Sequence, residues 1–147
     1  MKKLLAAAPL LLLPAASGNL PIQPGKWQSV VTILDVQMPS GPPGVVAGLR
    51  HQPPRVVTAC VTPQQAADGP RAVMQASHGK CRYTRFDATG GHLSAVMTCG
   101  FGSGEMTATS NGSYTATSLD LNGTSVMSGR VPMTMKTHTV GRRVGAC

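Results

Sequence analysis

The sequence predicts an all-β protein with one short helix, an antiparallel meander that forms a curved sheet or partial barrel stapled by two disulfides. After residue 80, segments of alternating apolar and polar residues are separated by short Gly-, Ser- or Thr-containing turns, as in antiparallel strands. Folding each segment back on the previous one brings the apolar side chains to one face. Four cysteines in a small chain are typical of a disulfide-bonded exported domain.

Residues 1–17 have the composition of a secretory signal peptide. Lys2 and Lys3 precede an apolar run over 4–13, and Ala15 and Ser17 supply the small residues of a cleavage site. The run has about half of the roughly 20 residues that a membrane-spanning helix needs. We therefore expect cleavage, a periplasmic location and no transmembrane segment in the mature chain. We expect no lipid anchor, because no cysteine lies directly after the apolar run, as a lipoprotein signal requires.

The mature chain, residues 18–147, has the length of a single β-rich envelope domain. Removing Lys2 and Lys3 leaves 11 of the 13 basic residues against five acidic ones, a net charge of +6. Such a charge favours an anionic partner, and export together with few aromatic residues argues against nucleic acid. Lipid, lipopolysaccharide or another envelope protein are the partners we expect, although a basic balance also serves solubility alone.

The first half of this domain predicts two strands, a loop and a short helix. Residues 26–38 and 55–61 are rich in β-branched residues and predict strands. The segment 39–54 between them contains five prolines and three glycines, which predict a flexible loop. Thr62, Pro63 and Gln65 then form a helix start with a capping box. Gly69-Pro70 interrupts this helix, and we expect it to resume over 71–75.

The second half predicts five strands, at 81–88, 92–99, 104–114, 119–128 and 132–143. The register that aligns their apolar residues makes opposite pairs of Cys81–Cys99, Tyr83–Met97, Met97–Met106, Ala95–Ala108, Tyr114–Leu119, Gly112–Leu121, Met106–Met127, Met127–Met133 and Ser125–Met135. Two Asn-Gly pairs favour tight turns at 111–112 and 122–123, but a turn at 111–112 would place Met106 and Ala108 opposite threonines. We therefore predict longer strands in which the glycines mark bends.

The cysteine spacing favours disulfides over a metal site. The four cysteines lie 21, 18 and 48 residues apart, whereas zinc ligands normally come in close pairs. The register sets Cys81 opposite Cys99, at a separation that a disulfide bridges. This leaves Cys60 and Cys147 as the second disulfide pair. The sequence alone leaves the other possible pairings of the four cysteines open.

Methionine is unusually frequent on the predicted inward face. The residues concerned are Met97, Met106, Met127, Met133 and Met135. Thioethers pack well in irregular cores, which explains the pattern without a ligand. The same side chains suit an apolar ligand, and as soft ligands they also bind Cu(I).

No residue pattern indicates catalysis, a metal site or a cofactor. The histidines are isolated, and the five acidic residues are scattered without the spacing of paired catalytic carboxylates. Arg142 and Arg143 form the one local basic cluster beyond the leader, and we expect them either to bind an anionic group or to be solvated at a strand end.

Several of these features together resemble one family of exported proteobacterial proteins. They are the leader, Pro24-Gly25-Lys26-Trp27 at the first strand, Cys60-Val61-Thr62-Pro63 before the helix, the Cys81 and Cys99 hairpin, and the closing residues 141–147. The mature chain is similar to the domain of unknown function number 3617. The resemblance implies an exported β-rich domain with these four cysteines and no known activity.

The sequence thus predicts a non-enzymatic binding or interaction module in the cell envelope. Its inward face would take a hydrophobic or amphiphilic ligand or contact an envelope protein. A structural or stress-related protein without a ligand is the alternative, and a Cu(I) binder is a further one. A cavity on the inward face would favour the binding module, because only a binder needs unfilled interior space.

Overall fold

A computed structural model of the protein describes residues 21–74, 81–102 and 104–147. The signal peptide predicted for residues 1–17 lies outside these ranges. The described residues form seven strands: β1 Gly25–Gln37, β2 Arg55–Val61, β3 Cys81–Thr89, β4 His92–Phe101, β5 Gly104–Tyr114, β6 Ser118–Met127 and β7 Met133–Gly145. They also form three helices: α1 Pro43–Arg50, α2 Pro63–Ala67 and α3 Arg71–Met74.

All seven strands belong to one open antiparallel sheet, in the order β2-β1-β7-β6-β5-β4-β3. The prediction of an antiparallel all-β fold is therefore confirmed. Strands β3 to β7 are the meander predicted from the alternating segments. Strand β1 joins this meander along β7, from Lys26 opposite Gly145 to Gln37 opposite Thr134, and β2 lies outside β1 as one edge of the sheet.

Three of the four meander hairpins have the predicted register. Cys81 lies opposite Cys99, Tyr114 opposite Leu119, and Met127 opposite Met133. The hairpin between β4 and β5 differs from the prediction by two residues.

In that hairpin, Met97 lies opposite Ala108 rather than Met106, and Ala95 opposite Ser110 rather than Ala108. The strands extend to Phe101 and Gly104, which pair, so the connection is shorter than the predicted loop at 100–103. Gly102 makes this tight reversal possible with a φ of 55°, which costs little without a Cβ. Because side chains alternate with a period of two, the shift leaves every side chain on its predicted face.

Segment 39–54, predicted to be a loop without regular structure, contains helix α1 and corrects that prediction. Pro43 occupies the first helical turn, where its missing N–H removes no helical hydrogen bond. Arg50 fixes the other end of the helix to β1. Its guanidinium donates hydrogen bonds of 2.8 and 3.1 Å to the carbonyl oxygen of Val36 and lies 3.4 Å from a carboxylate oxygen of Asp35.

Helix α2 begins at the predicted capping box. The Gln65 backbone N–H donates to Thr62 Oγ1 at 3.2 Å, and the Thr62 backbone N–H donates to Gln65 Oε1 at 2.9 Å. Helix α3 follows after Gly69 and Pro70, as predicted, and Gln75 lies outside the described residues. The described part of the chain thus has three short helices where one interrupted helix was expected. Each of them is too short or too polar to cross a bilayer.

Both predicted disulfides are present. Cys81 is bonded to Cys99 across the β3–β4 hairpin, and Cys60 is bonded to Cys147. The second bond joins β2 to the C-terminus and spans 87 residues of sequence. The edge strand β2 is therefore covalently tied to the chain end that follows β7.

The inward face of the sheet is concave, and glycines on it permit the curvature. A Cβ on Gly112 would lie 2.0 Å from the backbone oxygen of Asp120, and one on Gly123 would lie 2.7 Å from Thr137 Oγ1. Neighbouring strands therefore approach more closely here than a side chain would allow. The prediction that these glycines mark bends agrees with this geometry.

The hydrophobic core occupies one end of the concave face. It contains Trp27, Leu93, Tyr114, Leu119 and Leu121 from the sheet together with Ala66 of α2. The Tyr114 hydroxyl donates a buried hydrogen bond of 3.0 Å to the carbonyl oxygen of Ala88. The large side chains thus fill only part of the face, and the middle of the sheet carries smaller ones.

Candidate ligand-binding cavity

A cavity of about 230 Å³ lies in the middle of the concave face. Every one of the seven strands contributes side chains to its wall, so the sheet curls around it. The wall is formed largely by small side chains, including Ala95, Ala108, Ser110, Gly123 and Thr137. These residues cannot reach across the concave face, and the space between them stays unfilled.

Apolar and aromatic side chains close the cavity on the side of β3. Met74 at the end of α3 and Tyr83 of β3 both line it and pack against the core. Tyr83 meets Phe86 edge to face, with ring centroids 5.2 Å apart. Arg71 of α3 lies over both rings, its guanidinium carbon 5.4 Å from the Tyr83 centroid and 5.1 Å from the Phe86 centroid. The exposed guanidinium of Arg71 therefore lies next to Tyr83, a residue of the cavity wall.

The Tyr83 hydroxyl is held in its neutral form. Burial raises the pKa of this hydroxyl above its ordinary value, and the positive charge of Arg71 lowers it by a smaller amount. Like any tyrosine hydroxyl it is protonated at neutral pH and can donate or accept a hydrogen bond, and the raised pKa keeps it protonated in more alkaline solution. It adds polarity to the rim of the cavity without adding charge.

The interior of the described ranges holds no charged side chain. None of the buried residues there is polar or charged, and no buried side-chain N or O atom lacks a hydrogen-bond partner. A cavity of this kind favours an apolar group over an ion, because charge is costly to bury without a partner. Within those same ranges, no three His, Cys, Asp or Glu residues come together as a metal site.

The five methionines predicted to face a ligand all lie on the concave face, but they occupy different places. Met97 lines the cavity. Met106, Met127 and Met133 lie directly opposite one another on β5, β6 and β7, and Met135 is two residues along β7 from Met133. These four do not line the cavity and are only partly buried.

The two arginines predicted to form a basic cluster point to opposite faces of β7. Arg142 pairs with Ser118 and Gln28 on the convex face, whereas Arg143 lies opposite Trp27. Adjacent strand residues alternate between faces, which separates the two guanidinium groups. Arg143 Nε donates a 2.7 Å hydrogen bond to the carbonyl oxygen of Pro24, so this side chain helps to anchor the start of β1.

The structure pairs one of the four histidines with an acidic residue. His138 Nε2 lies 2.8 Å from Asp120 Oδ1, and both side chains are accessible on the convex face. This contact joins neighbouring strands across 18 residues of sequence, so the sequence pattern did not show it. His51 and His92 are exposed, and His78 lies outside the described residues.

Sequence reasoning missed Arg71 and Met74 as residues near the cavity. Arg71 and Met74 come from a helix of four residues, and their position beside Tyr83 depends on how that helix packs. The wall has a weak signal in the sequence, since Ala, Ser, Gly and Thr alternate at inward positions near the middle of β4 to β7. The fold-back register, rather than any motif, already placed Ala95 and Ala108 on the inward face.

One comparison with known proteins gives a match. A family model described as "Protein of unknown function (DUF3617)" matches residues 22–147. No curated protein and no solved structure matches the chain significantly.

Proposed function

The chain belongs to the DUF3617 family, whose description names no activity, and from its own geometry we propose that it is a non-enzymatic binding protein for a small amphiphile. The apolar part of the amphiphile would enter the cavity on the concave face. The polar part would remain at the rim beside Arg71 and Tyr83. The protein would do this after export to the periplasm.

The unfilled cavity is the observation that carries this proposal. An interior that only stabilised the fold would gain from being filled, because lost packing destabilises a protein in proportion to the space left. Here small residues from neighbouring strands keep the space open next to a core that is otherwise well filled. The wall is mostly apolar, as ligand cavities are.

The size of the cavity limits the ligand. At about 230 Å³ it is smaller than the roughly 300–1,000 Å³ that encloses a drug-sized molecule. A short acyl chain, or the end of a longer one, fits this space better than a bulky ring system. The rest of the molecule would then lie outside, in contact with the rim.

The positive charge of Arg71 next to the wall residue Tyr83 favours an anionic headgroup. Arg71 is exposed beside the cavity wall and makes no ion pair within the described ranges. The mature chain also has an excess of basic residues, which attracts anions at long range. Fatty acids and anionic lipids of the cell envelope have this combination of apolar chain and negative group.

The export part of the proposal depends on sequence and disulfides. Residues 1–17 have the composition of a signal peptide. Two disulfides join all four cysteines, and such bonds persist in oxidising compartments. Both observations support a periplasmic location.

Filling the cavity should remove binding. In Ala108→Phe a ring replaces a methyl group in the cavity wall, and we expect the affinity for decanoate to fall at least about tenfold, equivalent to about 1.4 kcal/mol. Isothermal titration calorimetry of the mature protein with decanoate measures this. Thr107→Phe is the matched control, because Thr107 is the preceding residue on β5 and points to the convex face.

The control should bind decanoate as the unsubstituted protein does, and circular dichroism should show that both variants are folded. Decyltrimethylammonium has the same chain length with a positive headgroup, and we expect it to bind more weakly than decanoate because of Arg71. Equal decanoate affinities for Ala108→Phe and Thr107→Phe would refute the cavity as the binding site. A failure of the unsubstituted protein to bind either amphiphile would refute the proposed function itself.

A further inference from the structure

Three methionines form a continuous row across the concave face at the end of the sheet away from the core. Met106 of β5 lies directly opposite Met127 of β6, which lies directly opposite Met133 of β7. We call these three residues the methionine row. Because strands in a sheet lie about 4.8 Å apart, neighbouring members of the row are close enough for their side chains to touch. Met135 is a diagonal neighbour of Met127.

Packing against the main hydrophobic cluster does not explain the methionine row, although Met106 lies opposite the buried Cys99 of β4. All three residues are only partly buried. None of them belongs to the hydrophobic core, and none is among the partly buried side chains that pack against it. The sequence alone favoured a core role for these methionines, whereas the structure leaves all three partly accessible and outside the main hydrophobic cluster.

The row is accessible to solvent. A depression in the surface is lined by Met127 together with Glu105 and with Arg130 and Val131 of the β6–β7 turn. An ion can therefore reach Met127, the central member of the row, without passing through the amphiphile cavity. The concave curvature of the sheet also inclines side chains of adjacent strands toward one another, which favours a common ligand.

The chemistry of the row selects one class of ligand. A thioether sulfur is a soft, uncharged donor, and such donors prefer Cu(I) and similar soft cations to Mg²⁺, Ca²⁺ or Zn²⁺. The described ranges offer no cluster of His, Cys, Asp and Glu that would hold a harder ion, and their cysteines are joined in disulfides. The site would thus be built from thioethers alone.

We propose that Met106, Met127 and Met133 bind one soft monovalent cation, Cu(I) or its redox-stable analogue Ag(I), through their three sulfur atoms. Binding involves no oxidation or reduction, since each sulfur only donates a lone pair to the ion. The site is separate from the amphiphile cavity, so the proposal does not depend on the proposed function. The protein could hold both ligands, one at each position on the concave face.

Silver nitrate is the appropriate probe, because it needs no reductant that would attack the disulfides. We would titrate it in chloride-free buffer into mature protein whose methionine methyl groups carry ¹³C. The methyl signals of the methionine row should shift together and saturate at one equivalent. The signal of Met74, which lies on α3 outside the row, should stay in place.

Substitution tests the row directly. Met127→Leu keeps nearly the same volume, and such exchanges usually cost less than about 1.5 kcal/mol of stability, but it removes the central sulfur. We expect silver affinity to fall at least about tenfold. Removing a residue that only supports a metal ligand already costs about that much affinity, and Met127 is proposed to be a ligand itself. Val126→Leu is the matched control, because Val126 precedes Met127 on β6 and is exposed on the convex face. It should retain the affinity of the unsubstituted protein.

Each result of these silver titrations either supports or contradicts the proposed site. Loss of silver binding in Met127→Leu, with thermal unfolding unchanged, supports the site. Should Met127→Leu fail to fold, Met106→Leu and Met133→Leu give the same comparison at the two outer positions. Silver binding that is equally tight in the folded leucine variants, or absent from the unsubstituted protein, overturns the proposal. Ala108→Phe should bind silver as tightly as the unsubstituted protein does. A failure of the amphiphile hypothesis would therefore not contradict the silver site.

Discussion

Single glycines on the concave face determine how closely the strands of the meander approach. Gly112 of β5 lies opposite Leu121 of β6. A Cβ at this position would meet three backbone atoms of β6 within 3.0 Å. Backbone cannot rotate away as a flexible side chain can, so the strands would have to separate.

Gly112→Ala should therefore destabilise the protein. We expect the free energy of unfolding to fall by about 1–3 kcal/mol, the usual cost of an overpacked interior. Urea unfolding of the mature protein measures this. Gly100→Ala is the control, since a Cβ on Gly100 meets nothing within 4 Å, and its effect should stay within about 0.5 kcal/mol. Equal stabilities of the two variants would show that Gly112 does not limit the approach of β6.

For single residues, the sequence predicts the face of the sheet on which a side chain lies better than it predicts the residue opposite on the next strand. Alternation with a period of two assigned Met97 and Ala108 to the concave side even though their predicted partners across the β4–β5 hairpin were displaced by two residues. Arg142 and Arg143, by contrast, were treated as one cluster because they are adjacent in sequence. The same alternation separates them, and the error was to apply it to the apolar residues only.

Among the elements, helix α1 depends on its attachment to β1. The helix has no fully buried residue, and only Val46 and Leu49 among its apolar side chains are partly buried, so packing holds it only weakly on the sheet. Arg50 provides the polar connection through Val36 and Asp35. Such a partly exposed ion pair and hydrogen bond contribute up to about 1 kcal/mol.

Arg50→Ala should release α1 without altering the sheet. We expect the backbone amides of residues 45–50 to exchange with deuterium about fivefold faster, in line with the loss of about 1 kcal/mol. Hydrogen–deuterium exchange followed by mass spectrometry measures the two regions separately. Arg55→Ala removes an exposed arginine from the start of β2 and should leave exchange in α1 unchanged. Identical exchange in Arg50→Ala and the unsubstituted protein would mean that other contacts hold the helix.

The elements that the sequence predicted well are those with local signals. The capping box of α2 and the alternating strands β3 to β7 are both encoded within short stretches of chain. Helix α1 was missed because Pro42, Pro43, Gly44 and Gly48 indicate a loop, while the contact that stabilises it comes from a strand 14 residues away. Local composition cannot show such a contact.

At the scale of the whole molecule, assembly of the seven-stranded sheet depends on pairing between distant parts of the chain. Strand β1 pairs with β7 across 97 to 119 residues of sequence, and the bond between Cys60 and Cys147 fixes β2 near the same end. The cysteine argument predicted this bond, but nothing in the sequence indicated that β1 would join β7. The cavity and the position of Arg71 follow from that closure and from the packing of α3, so they became visible only in the structure.

The concave face therefore combines three regions along its length: a hydrophobic core, an apolar cavity with Arg71 next to its wall residue Tyr83, and a row of thioethers. The first stabilises the curved sheet. We propose an acyl chain with a negative headgroup as the ligand of the second region and a soft cation as the ligand of the third. A ligand held in the cavity should survive gentle purification if it is the natural one, because its apolar part is shielded from water.

Native mass spectrometry of the protein, purified without detergent from cells that produce it, tests the binding hypothesis most directly. We expect the folded monomer with both disulfides to carry an additional mass of a few hundred daltons that dissociates on activation and is identified as an anionic amphiphile. Ala108→Phe prepared in the same way should lack this mass. An unsubstituted protein that appears only as the bare monomer, or a mass retained equally by Ala108→Phe, would contradict a ligand in the cavity.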